Sequence, residues 1–160
     1  MEDSDKVSKD FRYGEFKVSA SYPELATKIK LSEKDRLKIF YAVKTILQPT
    51  RDRFNNTLEI TSSKRSKPLN KKVGGVDTSD HLYLGESFAG DFFVHNVNML
   101  KVFEFIKSEM PYAFGQLIFY IDSNGKPEFI HVSLPTQKHK FEAWYKYKGQ
   151  RHEDCPVDLS

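Results

Sequence analysis

The stretch from Gly115 to Leu134 constrains this chain most. "GQLIFYI" and "EFIHVSL" are two short apolar runs joined by "DSNGKP". An Asn-Gly pair between such runs is a strong hairpin signal, because both central residues of a type I′ turn need positive φ. Asn124-Gly125 therefore predicts an antiparallel hairpin closed by that turn. Elsewhere the chain must supply elements that bury its apolar face.

The other elements follow from pattern and punctuation. Residues 1–31 mix charges and aromatics without a sustained period and read as an N-terminal arm, with "EFKVSAS" as a short strand. Ser32 and Asp35 form a capping-box pair that starts a helix. Leu37, Phe40, Val43 and Leu47, joined by Ile39 and Ile46, recur at helical spacing, and Pro49 is expected to end or kink that helix, with "TRDRF" able to continue it for about a turn. "NNTLEIT" alternates after a turn signal and predicts a strand. Ser62 to Ser79 reads as a long loop, a feature that in a compact domain is usually functional or disordered. "AGDFFVH" predicts another strand. A second helix spans about 96–110, with Met99, Phe103 and Ile106 on one face and Pro111 as its stop. The tail 136–160 is basic and aromatic, with Trp144, Tyr145 and Tyr147 as packing residues. Helix, strand, loop, strand, helix and hairpin imply an α+β domain over 32–135, a small antiparallel sheet partly covered by helices.

Composition narrows the class. At 160 residues with 14% aromatics, one domain with one real core is expected. There is no apolar run long enough for a membrane span and no apolar segment at the N-terminus of the kind a secretory signal needs. A single cysteine, Cys155, cannot close an intrachain disulfide. A net charge of +3 suits an anionic partner but falls short of a dedicated nucleic-acid binder, so none is expected.

The chemistry-bearing residues are scattered. His81, Asp91 and His131 offer a His₂Asp donor set, and a catalytic zinc takes three protein ligands with one position left for water. Glu128, three residues before His131, suits a general base, and Arg65 suits a substrate carboxylate or an oxyanion.

Five ordered stretches resemble the D-alanyl-D-alanine carboxypeptidase family of zinc peptidases, which includes phage L-alanyl-D-glutamate endopeptidases. "VKTILQPTRDRF" resembles the family's leading helix, and "LEITSSKRSKPLNKKVGG" its strand and loop with Ser, Arg, Asn and a Gly-Gly pair. "SDH" resembles its Ser-x-His, "FGQLIFY" its Gln-Leu-Ile strand, and "EFIHVS" its Glu-x-x-His-Val-Ser. The resemblance covers roughly Leu31 to Pro135. It implies that His81, Asp91 and His131 are the zinc ligands and Glu128 the acid–base. It also implies that Arg65 binds substrate and steadies the transition state, and that Ser79 and Gln116 line or support the pocket.

Two departures need an account. The segment between His81 and Asp91 is three residues longer than the family's His-x-x-Gly-x-Ala-x-Asp. Loop length costs little free energy, and "AGDF" matches the motif's end, so Asp91 is retained over Glu86 or His95. Residues three apart on an ideal strand face opposite ways, so Glu128 and His131 share a site only if Glu128 lies in the turn before the strand. His131 and Ser133 then face the site while Ile130 and Val132 face the core. The implied function is hydrolysis of peptidoglycan stem peptides at the bacterial wall, by a protein released at lysis or carried in a virion. The same fold serving as a non-catalytic wall-binding module is the alternative.

Overall fold

The hairpin forms where expected, but a different turn closes it. The computed structural model describes residues 2–160. β3 (Gln116–Ile121) and β4 (Pro127–Ser133) pair antiparallel. Gly125 has φ +81°, while Asn124 stays out of the left-handed region, so the turn is not type I′. Instead the Asp122 carboxylate accepts from the backbone N–H of Asn124 (2.8 Å) and Lys126 (2.9 Å), and Gly125 N–H reaches the Asp122 carbonyl. An aspartate that captures backbone donors two and four residues on favours a longer loop with one left-handed glycine.

Six strands make one sheet in the order β1-β2-β4-β3-β5-β6. β1 is Leu58–Ser62, β2 Ala89–Val94, β5 Glu142–Tyr147 and β6 Gln150–His152. All neighbours are antiparallel except β3 and β5, which run parallel. The chain leaving β4 crosses the start of β3 to reach β5. Gly115 marks the crossing: a Cβ there would lie 2.5 Å from the Leu134 carbonyl oxygen and 2.9 Å from that of His139. The tail therefore extends the sheet by two strands. Tyr145 joins the core, while Trp144 and Tyr147 are half-buried.

The helices depart from expectation in several places. α1 is a single turn, Pro23–Ala26. α2 (Glu33–Ala42) starts at the predicted capping box, with Ser32 and Asp35 bonded reciprocally. Its core face is Ile39 and Ala42, continuing as Val43, Ile46 and Leu47, whereas Leu37 and Phe40 are exposed. The expected stripe mixed two faces of one helix. Past Pro49 the helix continues through "TRDRF", as the sequence allows. Val43–Leu47 winds as a π turn, and α3 (Gln48–Phe54) follows without a break. The wider turn relieves the clash between a proline ring and the turn before it. Within the expected loop, Ser66 caps a short α4 (Lys67–Lys72). α5 (Met99–Glu109) is the expected second helix, beginning at Met99 rather than at about 96.

One sheet face is the core. Phe92, Val94, Ile130, Val132, Leu117, Phe119 and Tyr145 pack under Val102, Phe103 and Ile106 of α5. The segment before Ser32 is tied into it. "EFKVSAS" makes only an isolated bridge, Ser19 with Ser62, but Phe11 and Phe16 are fully buried and Phe16 packs 6.1 Å from Phe88. Phe16→Ala is expected to lower folding stability by about 3–5 kcal/mol, the usual cost of deleting a buried phenyl ring. Denaturant unfolding measures it, and a loss under 1 kcal/mol would mean the segment is only an appendage.

Candidate metal centre

The other sheet face carries the polar cluster. Asp91 on β2 is directly opposite His131 on β4, and His131 is opposite Ile118 on β3, so their side chains share a face. His81 comes from a different element, the single 3-10 turn Asp80–Leu82 that follows the α4 loop. One ring nitrogen each of His81 and His131 and an Asp91 carboxylate oxygen converge, all within 4.8 Å of one another. His131 Nδ1 lies 2.8 Å and His81 Nε2 3.4 Å from Asp91 Oδ1.

Each group is oriented from behind. His81 Nδ1 hydrogen-bonds the Ser63 carbonyl at 2.7 Å, which makes it the N–H nitrogen and leaves Nε2 with a free lone pair. Ser79 Oγ accepts the His81 backbone N–H, and the Arg65 backbone N–H donates to the His81 carbonyl at 2.7 Å. Ser63 Oγ in turn donates to the Ala89 carbonyl and meets the Tyr83 hydroxyl at 2.6 Å. Burial pushes the Tyr83 phenol well above its usual pKa, so it stays protonated. Buried Lys38 donates to the Tyr83 carbonyl, pinning the far end of the same turn.

Asp91 is buried, and burial alone would raise its pKa. The two imidazoles outweigh that and hold the carboxyl far below the ordinary carboxylate range. Arg65 Nη2 stands 3.8 Å from Asp91 Oδ2, its Nη1 donates to Asn70 Oδ1, and burial lowers the guanidinium's affinity for its proton. Gly75 makes room for this: a Cβ there would sit 2.1 Å from Asn70 Oδ1. The arginine, asparagine and second glycine of "SSKRSKPLNKKVGG" are thus one packed unit.

The three extra residues before Asp91 leave the centre undisturbed. Tyr83 and Phe88 are buried, while Leu84, Gly85 and Glu86 protrude. Glu86 pairs with Lys34 and His95 with Glu59, both at exposed positions away from the cluster. Gln116 sits one row along the face from His131. Its backbone N–H goes to Ser133 Oγ and its side chain to Glu142, which also bonds His139. Ser133 is fully buried as that acceptor and does not open onto the site.

Glu128 lies within β4 rather than in the preceding turn. Tyr120 pairs with Phe129 and Ile121 with Pro127, which leaves Glu128 as an extra residue in a β-bulge. A bulge breaks the alternation, so Glu128 can turn toward the face of Phe129 and His131. Tyr120, on that face, lies within the electrostatic reach of Asp91, Arg65 and Glu128 together. Burial, and after it the Asp91 charge, raises the Tyr120 pKa.

Two imidazole nitrogens and one carboxylate oxygen, buried and convergent, are a zinc donor set. Ligands at 2.0–2.2 Å around a tetrahedral ion stand about 3.4 Å apart, which matches the His81–Asp91 separation of 3.4 Å, while His131 stands at a hydrogen-bond distance of 2.8 Å from Asp91. Fold and donor set together define a metallohydrolase centre. The sequence model of the Peptidase M15 family matches residues 12–133, and the chain belongs to that family of zinc-dependent peptidases. No curated protein and no solved structure gives a significant match to the chain.

Proposed function

We propose that the protein hydrolyses peptide bonds in the stem peptides of bacterial peptidoglycan, by an internal cut of the L-alanyl-D-glutamate endopeptidase type. The observation that carries the reading is the convergence of His81, Asp91 and His131 beside the half-buried Arg65 guanidinium. An internal cut is supported by the way the centre sits on an extended sheet face. Phe93, Phe129, Tyr120 and Trp144 flank it and are only partly buried, so a chain can continue past the reacting bond.

When bound, zinc supplies a Lewis acid and brings the pKa of a coordinated water down to about 7. His81 and His131 give it neutral lone pairs, and Asp91 gives the one negative charge. Glu128 takes the proton of the attacking water and returns it to the departing amine. Arg65 holds a substrate carboxylate or the developing oxyanion, and Asn70 keeps the guanidinium aimed. Ser79 fixes the turn that presents His81, and Gln116 braces the start of β3. The wall is the site of action, reached by release at lysis or from a virion.

Zinc-loaded protein is expected to clear a suspension of purified peptidoglycan and to release new amino groups without free D-alanine. Chelation stops the reaction and added zinc restores it. Release of D-alanine alone would assign carboxypeptidase trimming. Stoichiometric zinc with no hydrolysis would leave a wall-binding module.

A further inference from the structure

The family match ends at residue 133, yet the sheet face that carries the metal centre does not. β5 and β6 extend it by two strands. Ile118, opposite His131, is also opposite Trp144 on β5, so the indole lies on the same face as the cluster. Two strand spacings put it about 10 Å from His131. One row further, Tyr120 pairs with Lys146 and Lys146 with Arg151 of β6. The Lys146 ammonium stands 5.3 Å from the Tyr120 ring centroid, and the Arg151 guanidinium 5.0 Å from that of Trp144. Tyr120 stacks on Phe129 at 4.3 Å. Trp144 Nε1 is buried and has no hydrogen-bond acceptor among the described residues.

We infer that the β5–β6 hairpin is a substrate subsite that receives a carboxylate on the peptide chain, three to four residues from the cut bond. This rests on the peptidase reading above and names the substrate class it takes. Two cations lie side by side over aromatic rings; Arg151 is exposed and its Nε is held by Glu153 at 2.6 Å, so an incoming carboxylate takes the Lys146 ammonium and the guanidinium N–H groups that Glu153 leaves open. An acceptor that lifts the Arg151 guanidinium from the indole also meets the Trp144 N–H. An extended peptide advances 3.3–3.6 Å per residue, so a chain leaving the metal centre across the strands reaches Trp144 in about three residues and Arg151 in about four. Aromatic rings and cations also suit single-stranded nucleic acid. The same face, however, carries Asp91, and the Glu142 and Glu153 carboxylates lie on or beside this hairpin. A continuous polyphosphate would cross those charges, whereas a peptide bearing isolated carboxylates need not.

Trp144 is the sole tryptophan, so its emission reports on this hairpin alone. The test titrates the protein with a short peptide bearing two glutamates, and with its glutamine twin. A saturable change in emission is expected for the acidic peptide only, weakened about tenfold in K146Q/R151Q, which keeps the indole. Equal responses to both peptides, or none to either, would overturn the proposal. So would an unchanged response in the double variant, or tighter saturation by a single-stranded oligonucleotide. The measurement needs no turnover, so failure of the subsite and failure of the peptidase reading are separately visible. K146Q and R151Q thermal unfolding at wild-type temperature shows that the hairpin is intact.

Discussion

Asp91→Ala is expected to strip stoichiometric zinc from the protein and lower kcat/KM about a thousandfold or more. The magnitude follows from what is lost: several kcal/mol of transition-state stabilisation by the bound ion, at about 1.4 kcal/mol per factor of ten. Asp91 supplies the only negative charge of the donor set, and both imidazoles meet it at Oδ1. The loss also reaches the metal-free protein. Removing the carboxylate leaves the half-buried Arg65 guanidinium without its ion-pair partner, which lowers stability because the charge stays partly desolvated. Metal analysis and thermal unfolding with and without chelator measure both effects. Glu86→Ala and His95→Ala are the comparisons, and both are expected to keep zinc, because these side chains pair elsewhere at exposed positions. Zinc retained by Asp91→Ala but lost from either comparison would show that the longer connection before β2 had moved the ligand.

The centre was legible in the sequence to an uneven depth. Spacing alone could not single out His81, Asp91 and His131 among five histidines and 22 acidic residues. The ordered family resemblance did so, and the sheet explains why the spacing is uninformative: Asp91 and His131 are forty residues apart and meet only through β2–β4 pairing. Local signals were the most readable. The Ser32–Asp35 capping box and the end of α5 before Pro111 depend on neighbours in sequence and appear where expected. Leu37 and Phe40 fit a helical period as well as Ile39 and Ile46 do, and only the sheet decides which side is buried. Ser63 and Tyr83 left no signal at all. Their hydrogen bonds join residues about twenty apart in a stretch that reads as irregular polar loop. The parallel pairing of β5 with β3 was equally hidden, since nothing local in "EAWYKY" names its neighbour.

Glu128→Gln is expected to lower kcat by about a hundredfold to ten-thousandfold, the usual worth of a positioned general acid–base, with zinc content and folding stability unchanged. The separation of effects comes from position. Glu128 is exposed and bonded to none of His81, Asp91 and His131, so its loss disturbs neither the donor set nor the core. The glutamine keeps the shape and some hydrogen bonding but can neither take nor return a proton. What allows Glu128 to turn toward the metal face is the bulge between the Ile121–Pro127 and Tyr120–Phe129 pairs. Without it, strict alternation would turn the carboxylate away from His131, and the Glu-x-x-His spacing would be incompatible with one shared site. The bulge is therefore itself part of the test. Deleting Glu128 restores regular pairing and should give the same loss of kcat as the glutamine, again with zinc retained. Glu142→Gln, which alters a carboxylate bonded to Gln116 and His139, is expected to change kcat by less than about tenfold, because that group braces β3 and takes no proton. Were Glu128→Gln to hydrolyse peptidoglycan within tenfold of the parent while Glu142→Gln did not, the proton carrier would be the second carboxylate, and the bulge would be a structural feature of β4 alone.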